Sequence, residues 1–250
     1  MVQVLLTGCG GRMGKVVAQI CEGHRDIKVC AGVDPAMPQC NFPVYASCEE
    51  VKEKVDVIID FSFHTAIGDI LRFAVKNQIA AVIATTGFTE EELGLIREAE
   101  QKIPVFRSAN MSLGVNLICE LAKTAAKLLP DFDIEIIEKH HNQKVDSPSG
   151  TALMIADEIS SVLPTEPKYL HGRSGICGKR TKNEIGIHAV RGGTIVGEHE
   201  VLFAGLHETV TISHSAASRE ILANGAVCAA LFVADKPKGA YSMKDIFTVN

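Results

Sequence analysis

The residues best suited to chemistry lie between Glu138 and Thr151 and read Glu-Lys-His-His-Asn-Gln-Lys-Val-Asp-Ser-Pro-Ser-Gly-Thr. These fourteen positions hold two imidazoles (His140, His141), two ammoniums (Lys139, Lys144) and a Ser149-Gly150-Thr151 turn. An imidazole exchanges its proton near neutral pH, and Lys144 brings a full positive charge. The turn falls where a helix should begin. The first amides of a helix, reinforced by its dipole, make an anion seat. Together these groups suit a small substrate that carries carboxylates, with a proton donor beside it. For Ser149 and Thr151 alone, a plain capped helix explains as much. For the whole cluster, so much titratable chemistry in one loop favours a functional reading.

Rigid elements must hold such a loop. Phe132 to Ile137 alternates as a strand, and Ala152 to Leu163 has helical apolar spacing, so the polar residues are expected to form a loop fixed at both ends. At the start of the chain, strand Val2 to Thr7 runs into Gly8-Cys9-Gly10-Gly11-Arg12-Met13-Gly14 and then a helix. Strand, glycine turn and helix is the context of a dinucleotide site, although glycines at 8, 11 and 14 depart from the usual G-x-G-x-x-G. Asp34 ends the second strand, Lys28 to Val33, twenty residues past Gly14, where an acid on the adenine ribose belongs. Pro35 follows, so no base stands next to hold a 2′-phosphate. That leans towards NADH over NADPH, with Arg12 as the remaining candidate cation.

Strands at Asp56 to Phe61, Ala80 to Ala84 and Pro104 to Arg107 alternate with helices at His64 to Asn77 and Thr89 to Lys102. This predicts a parallel sheet with right-handed crossovers. Ligands bind such sheets beyond the carboxyl ends of the strands, which here carry Thr85 and Thr86 and Ser108 to Met111. The second half reads differently. After the helix Leu113 to Leu129 come strand-like runs Glu184 to Arg191, Thr194 to Phe203 and Glu208 to His214, separated by short glycine turns that predict antiparallel pairing. Gly172 to Lys182 reads as an exposed loop. His188, His199 and His214 are too scattered for a metal set and read as structural. The helix Ser218 to Ala234 and the tail through Phe247 are expected to return to the first half. The expected class is α/β: a Rossmann-like parallel-sheet domain (1–111 and 219–250) plus an α+β domain (112–218) with a mostly antiparallel open sheet.

Composition sets limits. Across 250 residues, 46% are hydrophobic and the net charge is −5, which supplies a core and gives no basic patch for nucleic acid or an anionic membrane. No apolar run approaches the roughly 20 residues of a membrane helix. Eight cysteines without a C-x-x-C pair, and no secretory pattern at the start, predict a reduced cytoplasmic protein without disulfides or a zinc site.

The central stretch resembles the E-x-H-H-x-x-K-x-D-x-P-S-G-T-A motif of dihydrodipicolinate reductases, and the likeness runs along essentially the whole chain. It includes Gly8 to Gly14, Ala84-Thr85-Thr86-Gly87-Phe88, Ser108 to Ser112, Arg191-Gly192-Gly193, Gly197-Glu198-His199 and Ala223-Asn224-Gly225-Ala226. The resemblance implies hydride transfer from NADH or NADPH to 4-hydroxy-tetrahydrodipicolinate, with loss of water, in a homotetramer of the lysine and diaminopimelate pathway. It implies His140 as proton donor and Lys144 as second acid or orienting ammonium, with His141, Ser149, Gly150 and Thr151 on the substrate carboxylates. The cofactor would meet Gly8, Cys9, Gly10, Gly11, Arg12, Met13, Asp34, Ala84, Thr85, Thr86, Ser108, Ala109, Asn110 and Met111. Gln143 stands where several members carry another histidine. Two other readings keep the cofactor: a dehydrogenase of amino or keto acids, and a non-catalytic sensor of the NADH/NAD ratio, against which the His140/Lys144 pair argues.

Overall fold

A computed structural model describes residues 1–248. The chain divides into two compact units. One is Met1–Leu113 with the C-terminal stretch from Glu220, and the other is Gly114–Arg219. The first unit contains β1 (Val2–Thr7), α1 (Arg12–Glu22), β2 (Ile27–Val33), β3 (Val44–Tyr45), β4 (Val57–Asp60), α2 (Ile67–Asn77), β5 (Ala80–Ile83), α3 (Glu90–Glu100) and β6 (Pro104–Arg107). The chain continues through α4 (Leu113–Leu128), β7 (Asp133–His140), α5 (Gly150–Ser160), β8 (Lys168–His171), β9 (Glu184–Arg191), β10 (Gly197–Ala204) and β11 (Thr209–Ala216). It then rejoins the first unit through α6 (Glu220–Val233), β12 (Gly239–Tyr241) and α7 (Met243–Phe247).

The first sheet runs β12-β6-β5-β4-β1-β2-β3 with every pairing parallel, as strands alternating with helices predict. Its central strands β4 and β5 are buried along their whole length, the mark of a sheet covered on both faces. Residues of α1 and α6 pack with Val4, Leu6 and Ile59 on one face; α2 and α3 pack with Leu5, Ile58 and Ala81 on the other. Thr89 and Glu92 close the capping box that starts α3. From β1 the chain winds outward one way through β2 and β3, then the other way from β4. Between β1 and β4 lies the switch point, where open α/β sheets take their ligands.

The second sheet runs β11-β10-β7-β9-β8. It departs from the expected pairing. β10 is antiparallel to β11 and to β7, but β7–β9 and β8–β9 are parallel, so the sheet is mixed. Gly192-Gly193 does not close a hairpin: β9 lies beside β7, not β10. The turn rule reads only the connection, whereas an apolar face shared with helices α4 and α5 decides which strand fills the slot. Ile134, Ile136, Ile185, Ile187, Val201 and Phe203 pack under Ile118, Ala122, Ile155 and Ile159 on that face. Two short strands, β3 and β8, carry too few residues to show a period. No helix among the described residues is long and apolar enough to cross a membrane.

Candidate active site

Strand β7 runs three residues further than its apolar alternation suggests, through Glu138, Lys139 and His140. These residues therefore do not belong to a loop, as the sequence predicts. They continue the strand's alternation, so Glu138 and His140 share the helix-covered face with Ile134 and Ile136 and are buried. Glu138 is wholly buried and its carboxylate is the hub of the site. Its Oε2 accepts from His140 Nδ1 at 2.6 Å and from Arg191 Nη1 at 2.7 Å; its Oε1 accepts from Arg191 Nη2 at 2.7 Å and from the Ser149 amide at 3.0 Å. Burial alone would raise the Glu138 pKa. The hydrogen bonds from Arg191, His140 and Ser149 outweigh it and hold the carboxyl below its ordinary value.

Sheet register explains how these partners meet. Parallel pairing sets Arg191 on β9 beside His140 on β7. Antiparallel pairing sets Glu138 opposite His199 on β10, and His199 opposite His214 on β11. The His140 and His199 rings lie edge to face at 5.3 Å. Gly197 leaves room for them, since a Cβ there would stand 3.1 Å from His140 Nε2. His199 is not an isolated core histidine. Its Nε2 is 3.1 Å from Ser149 Oγ, and burial, with the charges of His140, His214 and Lys144 adding to it against that of Glu138, pushes the imidazole down to about 4. Alternation around Gly197-Glu198-His199 and its short distance from the glycine turn were the available signals, but only pairing shows which residue lies opposite.

The helix start behaves as its residue types require. Ser149 Oγ accepts from the Ala152 amide at 3.1 Å and caps α5. The Ser149 amide is already engaged by Glu138. A Cβ on Gly150 would meet nothing within 4 Å beyond its chain neighbours, so space is open on the Cβ side of that residue. Lys144 Nζ sits 2.7 Å from Asp146 Oδ1, and this contact lowers the Asp146 pKa. The Lys144 amide closes a turn onto the His141 carbonyl. Arg191 Nη2 also donates to the Asp146 carbonyl, pinning the loop to β9.

At the switch point of the first unit, Gly8 adopts φ +73° and a Cβ would fall 2.5 Å from the Phe61 carbonyl oxygen, so this turn requires glycine. Asp34 Oδ2 accepts from the Gly10 amide and Oδ1 from the Ala36 amide, both at 2.9 Å. A carboxylate retains further lone pairs for a ribose diol. A cavity of about 700 Å³ is lined by Gly8, Gly11, Arg12, Met13 and Asp34 from the expected set, with Pro35 beside them. Phe61, Ser62 and Phe63 also line it; they follow β4, and the strand-end rule applied to β4 would have found them. Asp60 Oδ1 ties the two strand ends by accepting from Thr7 Oγ1 and Ser62 Oγ, each at 2.6 Å. The glycine turn at a helix start, the cavity and the acid fit a dinucleotide.

Other members of the expected cofactor set lie at or near the same edge. Ala84, Thr85 and Thr86 follow β5, and Thr85 Oγ1 donates to the Ser62 carbonyl at 3.1 Å. Ser108, Ala109 and Asn110 follow β6, where Ser108 Oγ donates to the Asn110 carbonyl at 2.8 Å. Two side chains turn inward instead. Cys9 and Met111 are buried in the core, so their backbones are what a ligand could meet, and burial pushes the Cys9 thiol up to about 12.

Comparison with known proteins places these features in a family. The family model "Dihydrodipicolinate reductase, N-terminus" matches residues 2–111, and "Dihydrodipicolinate reductase, C-terminus" matches residues 114–247. A 4-hydroxy-tetrahydrodipicolinate reductase of Caldanaerobacter subterraneus subsp. tengcongensis is 55% identical over 98% of both chains. One from Clostridium tetani is 48% identical over 97% of this chain and 96% of its own. Among solved structures, a dipicolinate-bound dihydrodipicolinate reductase from Paenisporosarcina sp. TG-14 superposes with a TM-score of 0.83 at 27% identity, covering 99% of this chain and 100% of that one. With a parallel-sheet nucleotide unit, a mixed-sheet unit bearing the Glu138–His140 pair, and matches along both, the chain belongs to the dihydrodipicolinate reductase family, the nicotinamide-dependent reductases of the lysine and diaminopimelate pathway.

Proposed function

We propose that this protein reduces 4-hydroxy-tetrahydrodipicolinate, with loss of water, to tetrahydrodipicolinate, and that His140 is the proton donor. The observation that carries this reading is the buried Glu138 carboxylate, which accepts a hydrogen bond from His140 Nδ1 on one oxygen and from the Ser149 amide on the other. One carboxylate thereby orients both the acid and the start of the anion seat. When bound, the reduced nicotinamide supplies the hydride.

The chain's own residues do the rest. With Nδ1–H held by Glu138, the ring exchanges its proton at Nε2. Expulsion of water gives a conjugated C=C–C=N ring. A hydride adds to one carbon, the electron pair moves along the conjugated system, and a proton from His140 Nε2 completes the addition. Lys144 stabilises the charge that builds during transfer, while Ser149, Gly150, Thr151 and His141 hold the carboxylates. General acid catalysis of this kind supplies about 10²–10⁴-fold.

For the cofactor we favour NADH, because Asp34 offers acceptors to ribose hydroxyls and Pro35 offers no cation to a 2′-phosphate. A cytoplasmic homotetramer, whose second sheets meet at its centre, goes with the resemblance. The test is direct: purified protein, freshly generated substrate, and NADH or NADPH in separate assays. Loss of reduced-cofactor absorbance with a higher kcat/KM for NADH is expected. No turnover with either cofactor defeats the reading, and equal use of both defeats the preference.

A further inference from the structure

Ser149 and His199 share one hydrogen bond whose direction has a chemical consequence. Both residues are buried, and Ser149 Oγ lies 3.1 Å from His199 Nε2. The hydroxyl has one proton and two lone pairs. One lone pair already takes the Ala152 amide. At the other end of the imidazole, Nδ1 is sealed from solvent and has no hydrogen-bond partner.

Two tautomers are then possible, and they differ in which donor is left over. If the ring proton sits on Nδ1, the Ser149 hydroxyl donates to Nε2, and the stranded donor is the enclosed Nδ1–H. If the proton sits on Nε2, it donates into the second lone pair of Oγ, and the Ser149 hydroxyl proton is displaced towards a third partner. Ser149 directly precedes Gly150, where a Cβ would meet nothing within 4 Å beyond its chain neighbours. A bound anion can satisfy the second arrangement and cannot reach the first. Protonation at both nitrogens is opposed by burial and by His140 and Lys144.

We propose that His199 is a positioning residue for substrate: its Nε2–H donates to Ser149 Oγ and thereby turns the Ser149 hydroxyl into a donor aimed at a ring carboxylate. This rests on the reading of the α5 start as the carboxylate seat. It adds that affinity for the diacid is set by a histidine that does not itself touch the ligand.

Three variants and the wild type test it, with dipicolinate as the non-reacting diacid probe. His199→Phe keeps ring volume and removes the donor. His199→Gln places an amide N–H near the Nε2 position, whereas His199→Asn is too short to reach it. The Phe and Asn variants are expected to raise the substrate KM and the dipicolinate inhibition constant roughly tenfold, the size of one lost hydrogen bond to a charged group. kcat should change far less, and NADH affinity not at all. The Gln variant should return both constants to within about threefold of wild type. In wild type carrying isotope-labelled histidine, the Nε2–H tautomer of His199 should grow on adding dipicolinate.

The proposal is overturned if the Phe and Asn variants keep wild-type KM and inhibition constants, if Gln does no better than Asn, or if the tautomer does not respond. Should Phe fail to fold, the Gln–Asn comparison still decides. A wild type that neither turns over nor binds dipicolinate sinks the seat itself, a different and distinguishable failure.

Discussion

Glu138 is cut off from solvent yet keeps its charge, because a bidentate guanidinium, an imidazole and an amide all donate to it. Breaking a buried pair of this type by removing one charge costs about 3–5 kcal/mol, since the other charge is left uncompensated. Glu138→Gln keeps the shape and deletes the charge. Urea unfolding should show stability lowered by about 3 kcal/mol at unchanged m-value, and an unchanged midpoint would show that Arg191 does not depend on it. Two further substitutions separate chemistry from binding. His140→Ala and Lys144→Ala should each lower kcat by about 10²-fold or more, with NADH titrations unaltered. Collapse of cofactor affinity in either variant would remove that residue from the proposed role.

Among the elements, β10 acts through an absence. Gly197 faces His140 across the sheet, and its missing side chain is what lets the imidazole stand edge-on to His199. In Gly197→Ala the new methyl must push the His140 ring by a few tenths of an ångström. Misplacement near the reacting atoms is costly, so kcat should fall about tenfold while the melting temperature barely moves. A variant with normal kcat would mean that the ring position is not critical. On the nucleotide side, Asp34 braces the glycine turn through Gly10 and also lines the cavity. Asp34→Ala should therefore weaken NADH binding about tenfold or more and narrow any gap between NADH and NADPH. Calorimetry with each cofactor measures both effects.

For the whole molecule, acid should act on the mixed-sheet unit in two stages. His199, held near 4 by burial and by the charges of His140, His214 and Lys144 against the opposing charge of Glu138, binds a proton far less readily folded than unfolded, where its ordinary value is 6.5. Between those values the unfolded chain binds more protons, so stability is full above pH 6.5 and declines as pH falls towards 4, by roughly 3 kcal/mol in all. Glu135 and Glu138 are shifted the other way, below their ordinary value of 4.5. Their contribution is full above that value and is lost only as pH drops through the lower folded value. Urea midpoints at fixed protein concentration should fall between pH 7 and 4.5 in wild type and fall less in His199→Gln. Parallel curves for the two would remove His199 as the cause.

Much of this architecture is written in local pattern. Alternation and glycine punctuation gave away the parallel sheet of the first unit, and the Thr89 capping box and Ser149 cap followed from residue types whose side chains reach only a few positions along the chain. The tail returns to the first unit, where β12 pairs with β6. What the sequence could not decide was which strands become neighbours. Gly192-Gly193 looks like a hairpin turn, yet β9 runs parallel to β7, and only that pairing brings Arg191 to Glu138. His199 looked structural for the same reason: it meets Ser149, 50 positions away at the α5 cap, because sheet register sets it opposite Glu138, which holds the Ser149 amide. The chemical types and the elements that carry them were thus fixed by short-range rules. The constellation was fixed by long-range pairing, which depends on how two apolar faces fill one another rather than on any single stretch of chain.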